Sequence, residues 1–300
     1  REASRNVELT TAAAASSRMR CHVLPEWGDW PLNTIGHLDV QGWVTRLSGN
    51  LAAQTVLSCF RLMYSVMKVA VRARLIAVNP CEGVQLPALR KRRSTDALIA
   101  RADLTGKILP ALPERYRALV LMAGYAGLRW GECAGLRWAR VDLEGGRLSV
   151  VETVVEVSGR LEVKPYPKSE AGRRTVPLPA LLVARLRRHA DLIPAGPENL
   201  VFPDTVGNFL RRSNFRRNVW VPARTAAGVT DSLTFHGLRS CYATWLISEG
   251  VPVNVVQAAL GHERASTTLD HYTRRPHDYE DRLRAALTDP ADDPLTNDDR

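Results

Sequence analysis

Residues 234–239 read Thr234-Phe235-His236-Gly237-Leu238-Arg239, and a helix is predicted to run on from there over 237–249. His236 and Arg239 lie three positions apart at its start. Both can therefore face one ligand beside the free N–H groups of the first turn, a place that suits a phosphate. An H-x-x-R pair on its own arises by chance on many helices. Its meaning depends on what else the chain carries.

Three further segments bear on it. Ala126-Gly127-Leu128-Arg129-Trp130-Gly131-Glu132 sets an arginine just after a glycine-terminated helix, where the guanidinium fork can be held rigidly and point out of the fold. Read singly, Arg129 is equally a structural arginine paired with Glu132. Pro167-Lys168-Ser169-Glu170-Ala171-Gly172-Arg173-Arg174-Thr175-Val176-Pro177-Leu178 has turn residues that place Lys168 between two strands, where a long amine can swing or simply meet solvent. Leu260-Gly261-His262 is followed by Ser266-Thr267-Thr268-Leu269-Asp270-His271-Tyr272-Thr273-Arg274. A tyrosine ten residues beyond a Gly-His is in most chains just a half-buried aromatic.

Around these segments the pattern mixes types. A helix is predicted over 114–127, with Tyr116, Leu119, Val120 and Ala123 on one face. The β-branched run 147–157, with Leu161–Lys164 and Thr175–Leu178, reads as a three-stranded antiparallel sheet. Helices are expected again near 179–190, 208–227, 253–260 and 266–274. Upstream, Val56, Phe60, Met63, Tyr64, Met67, Ala70 and Val71 recur at helical spacing, with Arg61, Lys68 and Arg72 on the opposite face. Trp27, Trp30 and Trp43 read as core anchors of a small helical bundle rather than stacking platforms. The fold class expected is mainly α with a small antiparallel β-sheet, in two domains. These are a helical domain over 1–88 and a mixed domain over 96–288, joined by a basic linker over 89–95 and followed by an acidic flexible tail over 289–300.

Charge narrows the class of partner. The 300 residues hold 41 Lys and Arg against 31 Asp and Glu, a net +10, which points to a polyanion. The balance is +7 over residues 1–94, +8 over 95–275 and −5 over 276–300. The run Arg90-Lys91-Arg92-Arg93 is either a solvated linker or a strap along phosphates. Arg173 and Arg174 invite the same pair of readings, as do Arg211, Arg212, Arg216 and Arg217. No apolar run approaches the roughly 18 residues that span a bilayer, so no membrane role is expected. Five scattered cysteines without a C-x-x-C pair suggest neither a disulfide framework nor a zinc knuckle. There is no phosphate-binding G-x-x-x-x-G-K-[ST] loop, and no cofactor is expected.

Taken together and in this chain order, the four segments resemble the tyrosine recombinase, or phage integrase, family. The resemblance covers about Leu104 to Arg274, and more loosely the helical region before it, where that family has a core-binding domain. It implies a catalytic set of Arg129, Lys168, His236, Arg239, His262 and Tyr272. By the same resemblance Tyr272 attacks a DNA phosphodiester to give a covalent 3′-phosphotyrosine, and the two arginines clamp the non-bridging oxygens. His236 accepts a proton near Tyr272, His262 donates to a phosphate oxygen, and Lys168 is the general acid for the 5′-oxygen. Glu132 orients Arg129. The DNA contacts expected are Arg61, Lys68, Arg72, Arg90, Lys91, Arg92, Arg93, Arg173 and Arg174. His271 reads as a surface residue.

The family's habits further imply a two-domain clamp on double-stranded recombination sites, a homotetramer passing through a Holliday junction, and an accessory directionality or DNA-bending protein. They place the protein in the cytoplasm at the nucleoid. His277–Leu287 carries a stripe of Tyr279, Leu283, Ala286 and Leu287 that either docks on a neighbouring protomer or folds back. Integration or excision of a mobile element is favoured by the ten-residue step from His262 to Tyr272. A chromosome-dimer resolvase, a type IB topoisomerase and a non-catalytic DNA-binding protein of this fold are the alternatives. No arm-binding domain is visible ahead of the helical region, which reads as a simple integrase or a shortened chain.

Overall fold

A computed structural model describes residues 9–89, 98–157, 159–165, 173–193 and 199–261. Lys168, His262, Tyr272, Arg90–Arg93, the helix expected at 266–274, the stripe of 277–287 and the acidic tail all lie outside the described residues. The chain divides into two compact units, Arg1–Arg93 with Val155–Glu162, and Ser94–Val154 with Val163–Arg300.

In the first unit, α1 (Leu9–Arg18) passes through a widened π-type turn, Met19–Val23, into α2 (Leu24–Trp27), whose Pro25 sits in the first turn where no N–H is needed. Helix α3 (His37–Asn50) begins where the Asp39 carboxylate accepts the Gly36 N–H at 2.9 Å. Helix α4 (Ala53–Arg72) buries Val56, Phe60, Met63, Met67 and Ala70 along the anticipated stripe, and leaves Arg61, Lys68 and Arg72 exposed. Tyr64 and Val71 are half-buried at its edge. Trp27 and Trp43 anchor this core edge to face at 5.9 Å. Trp30 departs from the expectation: it packs on Trp27 at 5.3 Å but stays 43% exposed, because it follows the end of α2 rather than lying on a buried helical face. Asn79 closes the unit, donating to Tyr64 O at 3.3 Å and accepting from Cys81 N at 3.0 Å.

The second unit starts with α5 (Arg101–Asp103), a π-type turn and α6 (Leu109–Ala111), then α7 (Glu114–Tyr125) and α8 (Trp130–Ala134). Strands β1 (Val141–Asp142), β2 (Arg147–Val150) and β5 (Arg174–Pro177) follow, and between β2 and β5 come β3 (Glu152–Val157) and β4 (Arg160–Pro165), whose residues 155–162 count with the first unit. The unit continues with α9 (Ala180–Leu192), α10 (Arg212–Phe215), α11 (Val221–Ala226), α12 (Phe235–Ser248) and α13 (Val253–Leu260). A π-type turn, Arg216–Trp220, joins α10 to α11. Helix α7 is central. Ala118 to Gly124 are buried without interruption, so these two turns have no solvent face, unlike the one-sided helix the periodicity predicts.

The mainly helical character with a small antiparallel sheet is as expected, but the strands pair differently. The run 147–157 is broken at Val151. Its first part joins the three-stranded antiparallel sheet β1-β2-β5, and its second part pairs with β4 in a separate two-stranded sheet. The partner explains the break. Strand β5 spans four residues and its pairing ends at Val150↔Arg174, so an eleven-residue strand would leave most of its ladder unmatched.

Candidate active site

Two glycines fix where Arg129 stands. Gly127 closes α7 in the left-handed conformation (φ +64°), and a Cβ there would lie 2.5 Å from Tyr242 Cδ1. Gly131, in α8, lies so close to β3 that a Cβ would fall 2.4 Å from Val154 O. Helix α8 therefore lies hard against the strand, and this approach drives Glu132 into the interior, where its side chain is fully enclosed.

The helix start inferred from the sequence is present. Thr234 caps α12, its hydroxyl accepting from Gly237 N at 2.9 Å. The preceding loop is pinned at Leu233 O, which accepts from Trp220 Nε1 at 3.2 Å and Arg224 Nη1 at 3.1 Å. His236 is exposed in the first turn of α12, and Arg239 lies one turn further in with 1% of its side chain exposed.

Three guanidinium groups converge on Glu132. Arg129 donates its backbone N–H to Oε2 and its Nη1 to Oε1, both at 2.9 Å. Arg174 donates Nη1 to Oε1 at 3.1 Å and Nη2 to Oε2 at 2.8 Å. Arg239 Nη1 stands 4.0 Å from Oε2. The same three arginines also reach successive carbonyls at the end of α13. Arg174 Nε donates to Ala259 O at 2.8 Å, Arg239 Nη2 to Leu260 O, and Arg129 Nη2 to Gly261 O at 3.4 Å. Arg239 Nη1 also donates to Gly127 O. The end of a helix exposes carbonyls that lack intrahelical donors and carries partial negative charge, so it is a natural seat for cations.

Burial alone would raise the Glu132 carboxyl. The Arg174 hydrogen bonds, with the charges of Arg174, Arg239 and Arg129, outweigh it and hold the group down at about 2. One buried carboxylate thus faces three cations, and the cluster carries an excess of two positive charges. It is built to receive an anion.

Arg129, Glu132, His236 and Arg239 are thus brought to one part of the second unit. Arg61, Lys68 and Arg72 lie on the exposed face of α4, and Arg173 is exposed ahead of β5. Arg174 corrects the expectation of a DNA or solvent contact. Its Nε, Nη1 and Nη2 all donate within the fold, to Ala259 O and to both oxygens of Glu132. A signal for this lay in the strand period. Arg174 alternates with Val176 and Leu178, both buried, so it belongs to the core face of β5. The part played by the end of α13 has no such signal, because it depends on three carbonyls that carry no side-chain identity.

The phage integrase family matches residues 97–278. A tyrosine recombinase XerC-like protein of Caldanaerobacter subterraneus is 29% identical, covering 81% of this chain and 68% of its own. A prophage phiRv2 integrase of Mycobacterium tuberculosis is 30% identical, covering 88% and 70% respectively. The Tn1549 transposon integrase, solved in complex with a circular intermediate DNA, superposes with a TM-score of 0.77 over 96% of both chains at 18% identity, a likeness of fold.

Proposed function

This chain belongs to the phage integrase family and is a site-specific DNA recombinase, and from that premise we propose how its residues divide the work. The observation that carries the reading is the buried carboxylate ringed by three guanidinium groups, with two positive charges in excess. A phosphodiester carries one negative charge, and the pentacoordinate arrangement formed on nucleophilic attack carries two. Such a cluster therefore favours the transition state over the ground state. Arg129 and Arg239 hold the two non-bridging oxygens, and both stay charged at any working pH.

Tyr272 supplies the nucleophile, and its phenolic oxygen forms the bond to phosphorus as the 5′-oxygen departs. His236, exposed at the start of α12, takes the phenolic proton, and His262 donates to a phosphate oxygen. Lys168 protonates the leaving 5′-oxygen. The phosphotyrosine bond retains the energy of the phosphodiester, so the reverse attack by a 5′-hydroxyl rejoins the strand without ATP.

The helical domain expected over 1–88 grips DNA through Arg61, Lys68 and Arg72 on α4, assisted by the basic linker and Arg173. Residues 96–288 perform the chemistry. Four protomers pair two recombination sites and exchange strands through a Holliday junction, integrating or excising a mobile element at the nucleoid with an accessory DNA-bending or directionality protein. The prophage and transposon integrases among the similar proteins support the mobile-element role.

The test is trapping on nicked suicide duplexes cut from candidate attachment regions. Wild type is expected to give a DNA-linked band in a denaturing gel, and Tyr272→Phe none. A band that persists in Tyr272→Phe assigns the attack to another residue.

A further inference from the structure

Among the described residues, Arg129 and Arg174 each give Glu132 two hydrogen bonds, set against the roughly four lone-pair positions of an ionised carboxylate. Arg239 stands next in line, its Nη1 at 4.0 Å from Oε2, outside hydrogen-bonding range. Arg174 enters this cluster from β5, and it also ties the cluster to Ala259 O at the end of α13. Resting on the recombinase reading above, we infer that Arg174 is a positioning residue for strand cleavage. It engages both oxygens of Glu132 and staples the carboxylate to α13, so that neither Arg129 nor Arg239 is drawn deeper onto that carboxylate and away from the phosphate.

The alternative arrangement is close at hand. Without Arg174, a fully enclosed carboxylate loses two donors, and among the described residues Arg239 Nη1 stands 4.0 Å away, ready to replace them. Closing that gap would shift Arg239 by about 1 Å, off Gly127 O and Leu260 O, and a displacement of this size costs about a hundredfold in rate. Among the described residues, few other groups are placed to take up the charge. Arg129 faces Glu132 from the start of α8, Arg174 from β5 and Arg239 from α12, with Cys133 adjacent in sequence and Tyr242 near both Arg174 and Arg239. Burial pushes the Cys133 thiol and the Tyr242 phenol up, so both stay neutral near neutral pH.

The experiment measures single-turnover cleavage of the nicked suicide duplex against pH for wild type, R174M, R174K and R174M/E132Q, alongside duplex affinity. R174M is expected to cleave about a hundredfold slower with affinity held. Glu132, having lost the strongest of the groups that keep it ionised, protonates at higher pH in this variant, and its pull on Arg239 ends there, so the deficit against wild type narrows toward acid pH. R174K keeps the charge but not the fork and recovers part of the rate. R174M/E132Q loses this pH dependence of the deficit, since glutamine does not titrate. A wild-type rate and profile in R174M overturns the inference. So does a slowed R174M whose pH profile is unmoved, since that marks packing alone.

Tyr272→Phe, run in parallel, separates the two readings. A band in that variant with R174M still slowed removes the nucleophile assignment and leaves Arg174 in place. Should wild type form no adduct at all, the carboxyl carbon-13 titration of Glu132 decides the matter. It must move up in R174M, and an unmoved titration overturns the inference.

Discussion

Glu132 concentrates the energetics of the site in one side chain. Its ordinary carboxyl value of 4.5 falls to about 2 in the folded chain, while the unfolded chain keeps the ordinary value. The depressed group contributes stability that is fully present above pH 4.5, and is lost progressively as pH falls through the interval down to about 2. A shift of that size corresponds to about 3 kcal/mol. Urea unfolding between neutral pH and pH 3 is therefore expected to lose much of that amount in wild type, and much less in Glu132→Gln. Glu132→Gln should itself be less stable at neutral pH by about 3–5 kcal/mol, because it leaves Arg174 buried beside a neutral amide. Equal acid sensitivity in the two proteins would show that other carboxylates govern acid unfolding. At this scale the sequence was largely legible for Arg129, His236, Arg239 and the pairing of Glu132 with Arg129, all of which sit in short motifs with fixed spacing. Arg174 was misjudged because a run of two arginines beside a turn looks like surface, whereas the alternation of β5 sends the second one inward.

Elements position these residues through close approach rather than through propensity. Helix α8 spans five residues, too short to be stable alone, and it holds its place because Gly131 lets it press on β3 at Val154. Gly131→Ala would put a methyl group 2.4 Å from a backbone oxygen that cannot rotate away, so α8 must move off the strand. The expected cost is about 1–3 kcal/mol of stability. The same movement carries Arg129 and Glu132 with it, so cleavage should fall by more than the melting temperature alone accounts for. Wild-type melting and cleavage in Gly131→Ala would mean that α8 has slack not evident in its packing. The elements that periodicity foretold well are those with one buried face, such as α4. Those it misjudged are buried all round, as Ala118–Gly124 of α7 are, or owe their limits to a partner, as β2 does to the short β5.

At the scale of the whole molecule, charge governs how the protein meets DNA. Its net +10 predicts binding that weakens steeply with salt, since each neutralised phosphate releases counterions. Which cations do this work can be counted. Arg61, Lys68 and Arg72 share the exposed face of α4, so replacing all three with alanine leaves the buried stripe of Val56, Phe60, Met63 and Met67 intact, and melting should barely change. If each of the three rests on one phosphate, the slope of log K against log salt becomes shallower by about 0.9 for each residue removed, or about 3 in all. Fluorescence anisotropy on a duplex without a recombination site, titrated across salt concentrations, reads that slope directly. A weaker complex with the expected change of slope makes the face of α4 a backbone contact. An unchanged slope makes it an ordinary solvated surface and shifts the electrostatic work to the other basic segments, beginning with Arg211, Arg212, Arg216 and Arg217 around α10. The same titration separates these cations from the inner cluster. Arg174 is already neutralised by Glu132, so R174M should leave the slope where wild type has it.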